Sequence, residues 1–173
     1  VGMYRLGTES CRTALKKDPD IAVYSKLLTG GLVPFCAILT TKKVFESTKE
    51  VEELNFANGN TFIAPPIACV TALLALSTYR ERLNERPGMT ATGAAVYFEE
   101  QQVRELSLLS MVEETFAFGT VLSVALGEND PALATVVVER LRNKGVLAAE
   151  HLGNVLYLMV SPTTGKGECS RLL

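Results

Sequence analysis

The sequence predicts an α/β fold, and three observations carry that reading. Short apolar, branched or aromatic runs stand at residues 21–24 and 35–39, bounded by Asp, Gly and Pro in the manner of buried sheet strands. A long helical pattern follows Pro65-Pro66, and a second helix opening at Asp130-Pro131 leads into two further strand-like runs. With 173 residues and 47% hydrophobic side chains, the chain is long enough to bury a core, as one domain or as the end of one plus a small second.

Taken in order, residues 21–24 give the first strand, and Lys26 falls on the turn after it, ahead of Gly30-Gly31. Positions at the carboxyl end of a strand are where open α/β folds hold ligand chemistry. Residues 35–39 give a second strand, and residues 42–53, with apolar Val44, Phe45 and Val51 among charges, a short helix and a solvated loop. From 66 to 86 the pattern is strongly helical: Ile67, Val70, Leu73, Leu74, Leu76 and Leu83 supply the apolar content, and Pro87-Gly88 ends it. This helix is expected to link two lobes. Residues 91–109 read as another helical stretch with Glu99, Glu100, Gln101 and Gln102 on wet faces, the adjacent glutamates being a solvated surface rather than a catalytic acid and base. Residues 116–126 read as one strand with Gly119 tolerated inside it. Asp130 caps a helix that runs to Lys144, with Gly145 as a left-handed stop, and strands are expected near 146–149 and 155–160.

The net charge of −2 gives no electrostatic reason to expect nucleic acid or an anionic membrane as partner. A small neutral or zwitterionic ligand fits better. No apolar run reaches membrane-spanning length, since residues 63–76 are interrupted by Pro65 and Pro66. Cys11, Cys36, Cys69 and Cys169 are widely spaced and His151 has no metal-ligand neighbour in sequence, so no metal site is expected and the thiols are read as free and buried. Free cysteines and the absence of an N-x-S/T site point to an intracellular protein.

Lys26 has two readings. A surface lysine after an edge strand is one. The other is a reactive amine, because a lysine withdrawn from water in a pocket can shed its proton and attack a carbonyl, and paired glycines let backbone approach a ligand closely.

Three segments bear on that choice. Pro19-Asp20-Ile21 precedes Lys26 and then Gly30-Gly31; Gly2-Met3-Tyr4-Arg5-Leu6-Gly7 lies upstream; Gly59-Asn60-Thr61-Phe62 and Pro66-Ile67-Ala68-Cys69 lie downstream. In this register they resemble the class III (subgroup II) pyridoxal-phosphate-dependent aminotransferases. The resemblance implies a fold-type I transferase, with residues 1–80 forming the end of the large domain plus the linking helix and residues 81–173 the small C-terminal α/β domain. It implies pyridoxal 5'-phosphate as cofactor, held by Lys26 as the catalytic amine, with Thr61 donating to the phosphate of the neighbouring subunit. It also gives Arg5 a part in substrate binding or in shaping the site entrance, with structural pairing to a carboxylate as the alternative. The implied partners are a small amino donor and a keto acceptor, at a site completed across a homodimer.

Leu28-Thr29-Gly30-Gly31-Leu32-Val33-Pro34 and the segment Leu152-Gly153-Asn154-Val155-Leu156-Tyr157-Leu158-Met159 are similar to the biotin-synthesis branch of that family, in the form fused to dethiobiotin synthetase. That branch implies a mitochondrial location. The family's aspartate for the pyridine nitrogen would fall a few residues before Val1, so the chain is expected to be the C-terminal part of a longer enzyme. It departs from the branch at Ala148-Ala149-Glu150-His151-Leu152, where an Arg-Pro pair would grip the substrate carboxylate. Glu150 would repel a carboxylate, and His151 is either a substitute donor or structurally incidental. Another class III aminotransferase, of the ω-amino acid or ornithine type, and a non-catalytic paralogue are therefore competing expectations.

Overall fold

A computed structural model describes residues 2–49, 63–86, 94–127, 131–147 and 149–173. Two sheets and two apolar cores organise them. The first sheet pairs β1 (Ile21–Tyr24) with β2 (Ala37–Thr40) antiparallel, Ile21 facing Thr40 and Tyr24 facing Ala37. A short helix α1 (Cys11–Leu15), capped by the Ser10 side chain on the Arg12 N–H, precedes it, and α2 (Lys42–Lys49) follows. Residues 50–53 of the expected loop lie outside the described residues.

These strands are not buried as expected. Ile21, Val23, Ile38 and Leu39 are all exposed, because two strands alone leave both faces uncovered by the described residues. Helix α3 (Pro66–Asn84) shows a related inversion. Ala68, Ala72 and Tyr79 form its buried stripe at helical spacing, while Ile67, Val70, Leu73 and Leu74 point outward. Small residues on the inner stripe let α3 lie close against the 3-10 turn Lys26–Thr29, and a core of Met3, Tyr4, Leu28, Ala72 and Tyr79 closes between them. The Tyr4 and Tyr79 rings meet in it at 5.2 Å.

The second sheet is antiparallel in the order β3-β4-β6-β5, from β3 (Val112–Phe118), β4 (Val121–Leu126), β5 (Ala149–Leu152) and β6 (Val155–Met159). Helix α4 (Glu100–Ser107) packs on β3, α5 (Pro131–Asn143) on β5 and β6, and α6 (Lys166–Ser170) carries the buried Cys169. Alternate residues Leu122 and Leu126 of β4 and Leu156 and Leu158 of β6 meet Ala134 and Val138 of α5 in the core. Leu83 of α3 packs against both cores.

Three sequence expectations change here. The stretch read as one strand over 116–126 is a hairpin, with Gly119-Thr120 as a two-residue turn and Phe118 opposite Val121. The helix expected over 91–109 is confined to Glu100–Ser107: Ala95 N–H donates to the Gly7 carbonyl at 2.7 Å, which holds that backbone extended, and residues 91–93 lie outside the described set. Gln102 is half-buried rather than wet, and donates to the Ser170 carbonyl. The strand expected at 146–149 lies at 149–152 instead, since the Val146 N–H is used at the end of α5, bonding the Leu141 carbonyl beside left-handed Gly145.

Candidate active site

Lys26 opens the 3-10 turn directly after β1. The turn is fixed by Leu28 N–H to the Ser25 carbonyl, by Gly30 N–H to the Leu27 carbonyl, and by the Thr29 hydroxyl donating to the Val33 carbonyl at 2.7 Å. Leu28 and Thr29 are buried, so the turn is anchored from below. Lys26 itself has φ of 57°, a left-handed conformation that a non-glycine residue seldom takes and that costs about 1–3 kcal/mol. Its side chain is exposed, as in the surface reading, and no pocket formed by the described residues withdraws it from water. It stands beside an open depression of about 580 Å³ lined with Ser25, Thr29, Val33, Phe35 and Cys36. Buried residues under the turn hold the backbone while the amine faces solvent.

Arg5 lies elsewhere, in the loop 2–8, and is half-buried. Its Nη1 donates to the Thr120 hydroxyl at 3.0 Å and to the Val160 carbonyl at 2.6 Å. These partners are a hydroxyl and a carbonyl, in place of the carboxylate considered from sequence. Burial pulls the guanidinium below its ordinary value, and the nearby phenols of Tyr79 and Tyr97 act in the opposite direction. Arg5 and Lys26 are joined through packing, since Met3 and Tyr4 share a core with Leu28.

Thr61, the expected phosphate donor, lies outside the described residues. His151, on β5, is held on both ring nitrogens, with Nε2 at 3.2 Å from the Thr135 hydroxyl and Nδ1 at 3.3 Å from the Gly153 carbonyl. Those contacts make it a local tie between β5 and α5. The cysteines are all free, but Cys169 alone is buried; Cys36 is exposed and Cys11 and Cys69 are intermediate, against the expectation of four buried thiols. Among the described residues no helix is long and apolar enough to cross a membrane.

Sequence reasoning missed Thr120 and Gly119. The available signal was a Gly-Thr pair between two alternating apolar runs, which marks a hairpin turn.

The class-III aminotransferase family profile matches residues 1–173. The chain is similar to the bifunctional dethiobiotin synthetase/7,8-diamino-pelargonic acid aminotransferase, mitochondrial, of Oryza sativa subsp. japonica, at 32% identity over 99% of this chain and 22% of that protein. Similarity to the bifunctional dethiobiotin synthetase/adenosylmethionine-8-amino-7-oxononanoate aminotransferase of Emericella nidulans is 34%, over 99% of this chain and 24% of the relative. The chain thus spans less than a quarter of the length of these relatives. Among solved structures, the adenosylmethionine-8-amino-7-oxononanoate aminotransferase of Methanocaldococcus jannaschii superposes with a TM-score of 0.77 at 24% identity, covering 99% of this chain and 42% of that one. At that identity the superposition speaks to fold, which is the fold-type I aminotransferase arrangement.

Proposed function

Because the chain belongs to the class-III aminotransferases, we propose that its parent protein transfers an amino group from S-adenosylmethionine to 8-amino-7-oxononanoate, forming 7,8-diaminononanoate for biotin synthesis. One observation carries the reading at the level of the site. Lys26 projects an exposed amine from a left-handed residue at the carboxyl end of β1, on a turn whose base is buried. Strain of this kind is kept where the surrounding structure over-determines it, and such places are commonly functional.

A primary amine beside an open depression suits the aldehyde of pyridoxal phosphate, and the backbone of the turn leaves the approach clear at Gly31, where a Cβ would meet nothing within 4 Å. The cofactor, when bound, supplies the electron sink for breaking the bond at the substrate's amine-bearing carbon. Lys26 Nζ would hold it covalently at rest and, once released, would take the proton from that carbon and deliver it to the carbonyl-derived carbon of the cofactor. Thr61 would donate its hydroxyl to the phosphate across a two-fold interface, so that the working unit is a homodimer. Arg5, placed at the joint between the two cores, would shape the site entrance on the substrate side. The domain division near residue 80 and the mitochondrial location belong to the same proposal.

A second reading is favoured by a specific feature. No arginine stands on β5, and His151 is already engaged by Thr135 and Gly153, so the usual grip on an acceptor carboxylate is missing there. A class III aminotransferase with another acceptor, of the ω-amino acid or ornithine type, fits that feature.

The deciding experiment is Lys26→Ala in the full-length protein. Transfer to 8-amino-7-oxononanoate should fall by at least about a thousandfold, the order expected when a covalent catalyst is removed. Appreciable transfer by the variant would refute the assignment. Transfer by the wild type to an ω-keto acid, with none to 8-amino-7-oxononanoate, would select the second reading.

A further inference from the structure

The turn between β3 and β4 reaches across the molecule to the loop that underlies Lys26. Thr120 is completely buried, yet all its bonding groups are used. Its hydroxyl accepts from Arg5 Nη1 at 3.0 Å and donates to the Arg5 carbonyl at 3.1 Å; its N–H donates to the same carbonyl at 2.9 Å; its own carbonyl accepts from the Val160 N–H at 3.0 Å. Beside it, a Cβ on Gly119 would stand 2.4 Å from the Leu6 carbonyl carbon and 2.5 Å from the Gly7 nitrogen, so turn and loop meet backbone to backbone. The next residues of that loop, Met3 and Tyr4, lie in the same core as Leu28, two residues from Lys26, and the Tyr79 hydroxyl lies over Gly30 at the end of the Lys26 turn.

We propose that Thr120 is a positioning residue for Lys26: through its reciprocal bonds with Arg5 it fixes loop 2–8 and, through Tyr4, Leu28 and Tyr79, the turn that presents the amine. The inference rests on the reading of Lys26 as the reactive group. The path runs from the Thr120–Arg5 hydrogen bonds along the backbone of loop 2–8 to the Tyr4–Tyr79 ring pair and the core they share with Leu28, and buried bonds and close packing transmit a fixed geometry rather than a loose one. A valine at 120 keeps the shape but removes the acceptor for a guanidinium and one donor to the Arg5 carbonyl; a serine keeps both.

The test compares Thr120→Val and Thr120→Ser in the full-length protein, by amide hydrogen exchange and by kinetics. Thr120→Val should speed exchange of residues 2–8 and 26–30 about tenfold or more, the scale of a lost bond to a charged group, while α5 exchanges as in the wild type. It should also lower kcat about tenfold with a smaller change in KM, since the misplaced group is the amine. Thr120→Ser should restore both. Three results would overturn the proposal: unchanged exchange at 26–30, acceleration shared equally by α5, or a serine variant as impaired as the valine one. Exchange requires neither cofactor nor substrate, so a protein that fails to transfer amino groups would sink the functional reading while the coupling is still decided.

Discussion

The sheet lobe and the Lys26 region use similar apolar content in opposite ways. In the lobe the central strands turn alternate large side chains inward: Leu122, Leu126, Leu156 and Leu158 are buried in one core with residues of α4, α5 and α6, while Phe116 and Leu152 on the flanking strands are exposed. Around Lys26 the buried stripe is made largely of small and aromatic residues, and the large aliphatics of β1, β2 and α3 face out. A region that satisfies its own core can serve as a rigid support, whereas clustered exposed aliphatic faces are the kind of surface that other protein covers. The lysine proposed as the reactive group sits on the second kind, and the Gly119-Thr120 turn joins the first kind to loop 2–8 beside it.

That turn is the most sensitive point. Gly119 has φ of 56° and no room for a Cβ, so Gly119→Ala combines backbone strain with a clash against the Arg5–Gly7 backbone. We expect a loss of about 3 kcal/mol or more in urea unfolding. Gly145→Ala is the matched control: φ is 88° but a Cβ would meet nothing within 4 Å, and the loss should be about 1 kcal/mol. Equal losses at the two sites would mean that conformation alone, not docking against loop 2–8, makes Gly119 necessary.

Aliphatic truncations probe the contrast directly. Leu122→Ala removes a side chain with no exposure and should cost about 2–5 kcal/mol. Leu73→Ala, on the outer face of α3 at 68% exposure, should cost less than about 0.5 kcal/mol in the isolated 173-residue chain. Repeating Leu73→Ala in the full-length protein sharpens the comparison. A cost there of about 2 kcal/mol or more is the signature of a covered face, and an unchanged small cost would show that α3 stays bare.

What could be read from the sequence follows the range of the interactions involved. The first strand matches the apolar run 21–24, α3 begins at Pro66 and Gly145 is left-handed as expected, because each depends on residues a few positions apart. Some boundaries moved because a distant partner claimed a backbone group, as when Gly7 drew Ala95 out of a helix, and others through a nearby bond, as when the Leu141 carbonyl took the Val146 N–H. The proposal for Lys26 draws on its own neighbours in sequence. The partner of Arg5 was not legible, since 115 residues separate it from Thr120 and neither local pattern points to the other. The apolar content of α3 was legible, but not which face it buries: the structure buries Ala68 and Ala72, which permit close approach to the Lys26 turn.

A smaller effect is felt in both regions and depends on pH. Burial raises Tyr97 and Cys169 in the lobe, with Arg86 acting against the rise, and burial also raises Tyr4 and Tyr79 beside the Lys26 turn. Each is an acid that folding weakens, so the folded chain retains protons that the unfolded chain gives up once pH passes the ordinary values of 9.0 for the thiol and 10.0 for the phenols. Their contribution is complete below that range and is lost as pH climbs through the raised folded values. Tyr97 donates to the Pro162 carbonyl at 3.0 Å and lies under the Arg86 guanidinium, 3.6 Å from its ring centre. Tyr97→Phe should therefore cost about 1 kcal/mol near neutral pH, and its unfolding midpoint should fall less steeply than the wild type's as the pH is raised above 10. If the two curves fall in parallel, the alkaline sensitivity resides in Cys169, Tyr4 and Tyr79 rather than in Tyr97.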